Sequence, residues 1–132
     1  AIGVAQLEHI DDILRKRAEM EERYRAQPIL NQFFEFQHNR LPCRDRITWL
    51  ICALLKKGDR DMLIASLREK KIDTRPFFYP LSTMDIYKQF VFSNTVSREI
   101  SARGISFPTN ADMEDGVLEE IVRLVGECLP HA

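Results

Sequence analysis

A guanidinium group, three aromatic rings and two prolines lie within seven consecutive residues, the run TRPFFYP from Thr74 to Pro80. Pro76 and Pro80 fix their own φ angles and push the residues before them toward extended backbone. Successive side chains of an extended segment point to opposite sides. The chemistry that such a segment can do is binding, because it presents a cation and flat rings on a stiff backbone.

The alternation predicts two faces for this run. One face carries Arg75, Phe77 and Tyr79, and the other carries Thr74 and Phe78. Because a small domain can bury only one of these faces fully, the other is a candidate binding surface. The alternative is an edge strand whose rings all lie in the core and whose Arg75 caps a neighbouring helix. From the run alone, this alternative is favoured.

The common catalytic motifs are absent from the sequence. It contains no GxGxxG, no Walker phosphate loop, no GxSxG and no HExxH. The acidic pairs at positions 11–12 and 119–120 lie on predicted helices at adjacent positions, so their side chains diverge. The cysteines and histidines show no spacing typical of a metal site. We expect three reduced thiols in a cytoplasmic protein, with Cys52 and Cys128 packed in the core.

Size and charge narrow the class of protein. With 132 residues, 45% of them hydrophobic, the chain is expected to form one soluble globular domain. The 19 basic and 20 acidic residues give a net charge of −1, so no extended field attracts nucleic acid or anionic lipid. The longest apolar run, residues 49–55, is too short to span a bilayer, and no leader pattern begins the chain. We therefore expect neither nucleic-acid nor membrane binding.

Apolar spacing predicts a long amphipathic helix from Ala1 to about Arg25. Leu7, Ile10 and Leu14 form one stripe at helical spacing. The first residues are already apolar, and no capping side chain precedes them. The helix is therefore expected to continue from a longer polypeptide.

The remainder of the chain is predicted to be a small α+β unit. The first half is expected to hold a loop from Pro28 to Arg46 with room for a brief turn of helix, a buried strand over residues 47–55, a helix over 60–70 capped by Asp59, and a strand from Ile72 into TRPFFYP. The second half is expected to hold a short helix over 84–90, a helix through Arg103 capped by Asn94, a strand over 105–107, and a helix over 113–129 capped by Asp112. We place Val96 and Ile100 on the inner face of their helix and Gly104 at its left-handed C-cap. This order predicts a three-stranded sheet covered on one face by helices.

Three segments, in this order, resemble the C-terminal portion of the DegT/DnrJ/EryC1/StrS family of pyridoxal-phosphate-dependent sugar aminotransferases. AIGVAQLEHIDDILRKRAEMEERY is similar to the family's long helix leading out of the large catalytic domain. LREKKIDTRPFFYPLSTMDIY resembles its helix, strand and aromatic loop, and SREISARGISFPTNADMEDGVLEEIVRLVGECL resembles its closing helix, strand and helix. TRPFFYP is similar to the subgroup that makes perosamine and related 4-amino sugars on nucleotide carriers.

The resemblance implies the C-terminal domain of a fold type I transferase. Residues 1–27 would be the helix linking to a large domain, and residues 28–132 the small α+β domain. The parent enzyme would use pyridoxal phosphate to transfer an amino group from an amino-acid donor to a nucleotide-linked 4-keto-6-deoxy sugar, and would be a homodimer. None of the six lysines lies in a segment resembling the family's lysine motif, so this chain alone is expected neither to bind the cofactor nor to turn over.

The resemblance carries substrate-binding roles only onto the aromatic loop. Arg75 would pair with a substrate phosphate or with the carboxylate of the amino donor, since its planar fork of donors suits either. Phe78 and Tyr79 would bound the sugar or the base. Ser82 stands where the family frequently has histidine, so a proton-handling role is not expected there, although its hydroxyl can hydrogen-bond a ligand.

One alternative belongs to another class. The strand and helix order is also used by RNA-binding sheets, and exposed aromatics can stack on bases or dock a protein. The chain would then be a free-standing interaction module without catalytic activity. The slightly acidic charge and the lack of a basic aromatic motif favour the aminotransferase domain.

Overall fold

A four-stranded antiparallel sheet organises the chain. The computed structural model describes residues 2–37, 43, 46–90, 93 and 95–129. The helices are α1 (Ile2–Leu7), α2 (Ile10–Arg25), α3 (Pro28–Phe33), α4 (Arg60–Glu69), α5 (Thr95–Arg103) and α6 (Asp115–Cys128). The strands are β1 (Phe34–Phe36), β2 (Ile51–Leu55), β3 (Arg75–Pro76) and β4 (Gly104–Phe107), and two 3₁₀ segments, Leu81–Thr83 and Asp85–Phe90, follow β3.

The sheet has the strand order β1-β2-β4-β3, so β3 is an edge strand and β4 is central. The predicted α+β class is confirmed, but the predicted number of three strands is wrong, because the sheet has four. The missed strand β1 pairs Phe34 with Leu55 and Phe36 with Ala53. A strand of three residues is too short to show an alternating pattern, and it lies in an aromatic stretch that the sequence predicts as a loop. β2 and β3 both run antiparallel to β4, so they share one direction with a strand between them.

The core lies on one face of this sheet. Alternate residues of β2 are buried, and Tyr24 of α2 stacks on Phe107 at 5.5 Å between ring centroids. Phe34 meets the same ring edge-on at 5.3 Å. Leucines of α4 and α6 fill the remaining space. This face is closed by helices, as the predicted layer arrangement requires.

The predicted first helix is interrupted. Residues 8 and 9 form a turn between α1 and α2, and none of the side chains of α1 is buried. Ile2, Val4 and Leu7 are exposed, whereas Met20 and Tyr24 of α2 pack in the core. Packing therefore aligns only the second half of this segment. The helix ends before Pro28, as predicted, and Pro28 then begins the short helix α3 at a position where its missing N–H costs nothing.

Asp59 caps α4 as predicted, and its carboxylate accepts hydrogen bonds from the backbone N–H groups of Asp61 and Met62. The same helix begins with buried Arg60. Its Nη1 donates to the carbonyl oxygens of Ser101 at 2.9 Å and Gly104 at 2.7 Å. These bonds satisfy one carbonyl in the last turn of α5 and one at the start of β4, and they tie both elements to α4.

Several details of the predicted helices are wrong. Val96 and Ile100 are exposed rather than inward-facing, because α5 buries Ser101 instead. Gly104 begins β4 and is not a left-handed cap. Helix α6 starts at Asp115 after the N-cap Glu114, not after Asp112. Asn94, the predicted cap of α5, lies outside the described residues.

Candidate functional site

A groove with a cavity volume of about 830 Å³ lies on the sheet face opposite the helical core. Its floor is a row across three strands. Cys52 of β2 is paired with Ser106 of β4, and Ser106 with Arg75 of β3. Directly paired residues of antiparallel strands share a face, so these three side chains project to the same side. The Sγ of Cys52 and the Oγ of Ser106 lie 3.6 Å apart.

An aromatic pair forms one wall of the groove. The rings of Trp49 and Phe78 stack with centroids 6.3 Å apart and planes inclined by 29°. Both rings are largely exposed, Trp49 by 65% and Phe78 by 78%. The Oγ of Ser101 donates to the carbonyl oxygen of Phe78 at 3.1 Å, which fixes the backbone beneath that ring. The wall is therefore a preformed apolar surface in contact with solvent.

The predicted alternation along TRPFFYP fails after Pro76. The strand β3 contains only Arg75 and Pro76, and Phe77 N–H then donates to the Gly104 carbonyl at 3.2 Å. Phe78 and Tyr79 are both exposed as a result, although they were placed on opposite faces. The favoured alternative was right that the segment is an edge strand but wrong that all its rings lie in the core.

Phe77 explains why position 104 is a glycine. A Cβ built on Gly104 would lie 2.2 Å from Cγ of the Phe77 ring. Any side chain at this position would displace the ring from the sheet. The glycine thus permits close approach of the aromatic run to β4.

Arg75 is the predicted binding cation, and it lies on the groove face. Its Nη2 donates to Asp73 at 3.1 Å, and the side chains of this pair are 76% and 70% exposed. The predicted alternative in which Arg75 caps a helix is wrong, because the guanidinium pairs with this exposed carboxylate. The guanidinium is in position to meet a ligand from solvent.

The four predicted binding residues are not all gathered in one place. Arg75 and Phe78 line the groove together. Tyr79 is exposed beside it, and Ser82 is half-buried in the first 3₁₀ segment; neither is among the groove-lining residues. Their binding roles stay predictions.

Sequence reasoning missed Arg17, Arg46 and Trp49, which also line the groove. The sequence predicts Trp49 within a buried strand over residues 47–55, and this is wrong because β2 begins only at Ile51. Arg17 lies on α2 and donates through Nη1 to the backbone carbonyl of Trp49 at 2.8 Å. The only early signal was composition, since Trp49 is the single tryptophan of the chain.

A buried carboxylate supports the arginines of the groove. Glu21 is 3% exposed, and its oxygens accept hydrogen bonds from Arg46 at 2.5 Å, Arg25 at 2.6 Å and the Thr48 hydroxyl at 2.6 Å. Burial by itself raises the pKa of the Glu21 carboxyl, but the bonds from Arg46, Thr48 and Arg25 together lower this pKa below its ordinary value. Glu21 is therefore a charged anchor that orients Arg46.

The rim of the groove is held by two hydroxyl groups. Thr109 Oγ1 accepts from Ile51 N–H at 3.1 Å and donates to the Phe107 carbonyl at 3.0 Å. The Tyr24 hydroxyl donates to the Pro108 carbonyl at 3.1 Å, and burial raises the pKa of this phenol. Both hydroxyls donate to backbone carbonyls, so they stabilise the backbone at the rim of the groove and do not act on a ligand.

The described lysines do not fit a covalent role in this groove, because none of them lines it. Lys16 contacts Asp112 at 2.9 Å and also Asp12, and the hydrogen bonds to these two carboxylates raise the pKa of Lys16. A nucleophilic amine needs a lowered pKa. Within the described part of the chain, no group of His, Cys, Asp or Glu side chains is placed to hold a metal ion. No described helix is both long and apolar enough to cross a membrane.

Comparison with known proteins gives a consistent result. Residues 1–126 match the DegT/DnrJ/EryC1/StrS aminotransferase family. The chain is 31% identical over 130 residues to GDP-perosamine synthase of Vibrio cholerae, covering 95% of this chain and 35% of that protein. The corresponding enzyme of Escherichia coli O157:H7 is 30% identical over 110 residues, covering 83% and 29%.

Solved structures show the same fold. The PLP form of the Streptococcus pneumoniae sugar aminotransferase Spr1654 matches with a TM-score of 0.83 at 16% identity, covering 98% of this chain and 34% of that one. The chain spans about a third of the length of these relatives.

Proposed function

Because this chain belongs to the DegT/DnrJ/EryC1/StrS aminotransferase family, we propose that its groove is one wall of the substrate site of a pyridoxal-phosphate-dependent aminotransferase. The substrate would be a nucleotide-linked 4-keto-6-deoxy sugar, and an amino acid would donate the amino group. In this proposal residues 1–27 link to a large catalytic domain and residues 28–132 form the small C-terminal domain. A homodimeric assembly of the whole enzyme is part of the same proposal.

The observation that carries the proposal is the placement of Arg75 beside the aromatic wall. A guanidinium recognises phosphate or carboxylate oxygens, and a flat apolar wall packs against a sugar or a base. Arg75 and Phe78 line the same groove, and Trp49 stacks on Phe78 and extends the apolar surface. A substrate that joins an anion to a ring system fits both features at once. The GDP-perosamine synthases among the relatives support testing this substrate class first.

Pyridoxal phosphate would supply the carrier for the amino group in the whole enzyme. Since no lysine of this chain lines the groove, we derive no covalent step from its residues and assign none of them a catalytic role. The work of this chain would be to orient the substrate and to exclude water from one side. The predicted inability of the chain to bind the cofactor or turn over by itself belongs to the proposal.

The kinetics of the natural polypeptide that carries this sequence test the proposal. Arg75→Ala should raise the KM for the nucleotide sugar or for the amino donor by roughly 10- to 100-fold, since one charge-assisted contact is worth about 1.5–3 kcal/mol. Which of the two constants rises identifies the anion that Arg75 binds. The exposed Arg68→Ala serves as control, because Arg68 lies on α4 outside the groove. Unchanged constants for Arg75→Ala, or no transaminase activity in the wild-type polypeptide, would remove the proposal.

A further inference from the structure

We infer that one face of α2 sets the shape of the groove, with Arg17, Glu21 and Thr48 as positioning residues that hold Trp49 in place. The inference concerns residues 46–50, here called the wall segment, which have no regular secondary structure. All of them except Thr48 line the groove. The inference rests on the proposed function and deepens it, because it names residues that would act on the substrate only through Trp49.

The wall segment depends on side chains for its attachment to the fold. Within the described part of the chain, residues 47–50 form no backbone-to-backbone hydrogen bond, and the pairing of β2 with β4 starts only at Ile51. A segment without such bonds is mobile unless side chains hold it. Ile47 and Trp49 are both 65% exposed, whereas Thr48 between them is 6% exposed. Thr48 is therefore the buried point of the segment.

The attachment is made to α2. The hydroxyl of Thr48 donates to Oε2 of Glu21 at 2.6 Å, and Oε1 of the same carboxylate accepts from Arg46 at 2.5 Å. Arg17 lies one helical turn before Glu21 on the same face of α2, and its Nη1 donates to the Trp49 carbonyl at 2.8 Å. Two side chains of one helix face thus hold three of the five residues of the wall segment.

Arg25 extends this face of α2 by one more turn. It donates to Glu21 and to the backbone carbonyl of Gln37, which also lines the groove. The guanidinium carbon of Arg25 lies 5.2 Å from the ring centroid of Phe36. The helix itself is fixed, because Tyr24 is fully buried in the core. The groove residues that precede β2 in the chain are therefore supported from one rigid element.

The position of the Trp49 ring determines the shape of the apolar wall. The ring stacks on Phe78, with 6.3 Å between centroids, and both rings face solvent. If the wall segment were free to move, a ligand would have to order it on binding, and this ordering would weaken affinity. The hydrogen bonds from α2 remove that cost without touching the ligand. Their loss should affect substrate binding and leave the reacting groups unchanged.

Nuclear magnetic resonance relaxation of the ¹⁵N-labelled 132-residue chain tests the attachment. Thr48→Val removes the hydroxyl and keeps the shape, so the order parameters of the backbone amides of residues 47–50 should fall from about 0.85 to below about 0.6. Thr48→Ser keeps the hydroxyl and should retain the wild-type values. Thr74→Val is the matched control, because the buried Thr74 hydroxyl has no partner among the described residues and its loss should leave residues 47–50 rigid.

Kinetics of the natural polypeptide test the consequence for the substrate. Thr48→Val and Arg17→Gln should each raise the KM for the nucleotide sugar about 2- to 10-fold with little change in kcat, since the substrate must then order the wall segment itself. Thr48→Ser should restore the wild-type KM. A role in stability alone would instead lower the apparent kcat through the folded fraction and leave KM unchanged.

Three results would overturn the inference. The first is wild-type order parameters at residues 47–50 that are already below about 0.6. The second is order parameters that neither Thr48→Val nor Arg17→Gln changes, and Arg17→Gln decides alone if Thr48→Val does not fold. The third is an unchanged KM in variants whose wall segment has become mobile.

The outcome is separable from the proposed function. A raised KM in Arg75→Ala together with unchanged order parameters in Thr48→Val and Arg17→Gln would remove only the inference. A wall segment that becomes mobile in these variants, in a natural polypeptide without transaminase activity, would remove the proposed function and leave the control of Trp49 by α2 standing.

Discussion

The hydroxyl of Thr74 is buried without a hydrogen-bond partner among the described residues. A buried unsatisfied hydroxyl costs free energy that a methyl group of the same shape does not. Thr74→Val should therefore leave the free energy of unfolding unchanged or raise it by up to about 1 kcal/mol. Thr48→Val is the matched control, because the Thr48 hydroxyl donates to buried Glu21 and its loss should destabilise the fold by about 1–2 kcal/mol. Urea unfolding measures the free energy of unfolding of both variants. If Thr74→Val lost more of this free energy than Thr48→Val, the Thr74 hydroxyl would not be unsatisfied.

Single residues also show where sequence reasoning succeeds. Arg75 and Phe78, which both line the groove, could be singled out because their chemistry is concentrated in one short run, while their binding roles stay predictions. Arg17 and Trp49 could not, because they become neighbours only when α2 packs beside the segment before β2. The exposure of Phe78 next to Tyr79 was also out of reach, since it depends on how soon β3 ends.

At the scale of elements, Glu21 joins α2 to the segment that precedes β2. Its folded pKa lies below the ordinary value, so its contribution to stability is present above the unfolded pKa of about 4.3 and is lost as pH falls through the folded value. Glu21→Gln should lower the free energy of unfolding at pH 7 by about 2 kcal/mol. The difference between wild type and variant should shrink as the pH drops below about 4.

Denaturant unfolding measured from pH 7 to pH 3 checks this prediction. The control is Glu19→Gln on the same helix, whose pair with Arg15 is exposed on both sides and should contribute little to stability. A deficit of Glu21→Gln that stays constant over this range would show that the carboxylate charge is not what holds the two elements together.

Elements were predicted best where a long apolar period meets a strong cap. Helix α4 with its cap Asp59 is the clearest case, and β4 ending before Pro108 is another. The short strand β1 and the break between α1 and α2 were missed, because tertiary contacts decide them. The α+β class followed from the order of the long elements, while the strand order β1-β2-β4-β3 needed the structure.

At the scale of the whole molecule, the overall composition does not predict a groove lined by three arginines. Arg17, Arg46 and Arg75 come from distant parts of a chain with nearly balanced charge, and only the fold brings them to one face. The opposite face of the sheet is filled by the core. The molecule thus has one side devoted to stability and another that presents cations and rings to solvent.

Nuclear magnetic resonance titration of the ¹⁵N-labelled chain with GDP-perosamine, the product for which several relatives are named, shows whether the groove binds a nucleotide-linked sugar. We expect concentration-dependent shifts confined to the groove, led by the Trp49 indole N–H and the backbone amides of Arg75 and Phe78. Shifts that map instead to the exposed side of α1 and α2, or groove signals that stay unchanged at millimolar ligand, would contradict binding in the groove.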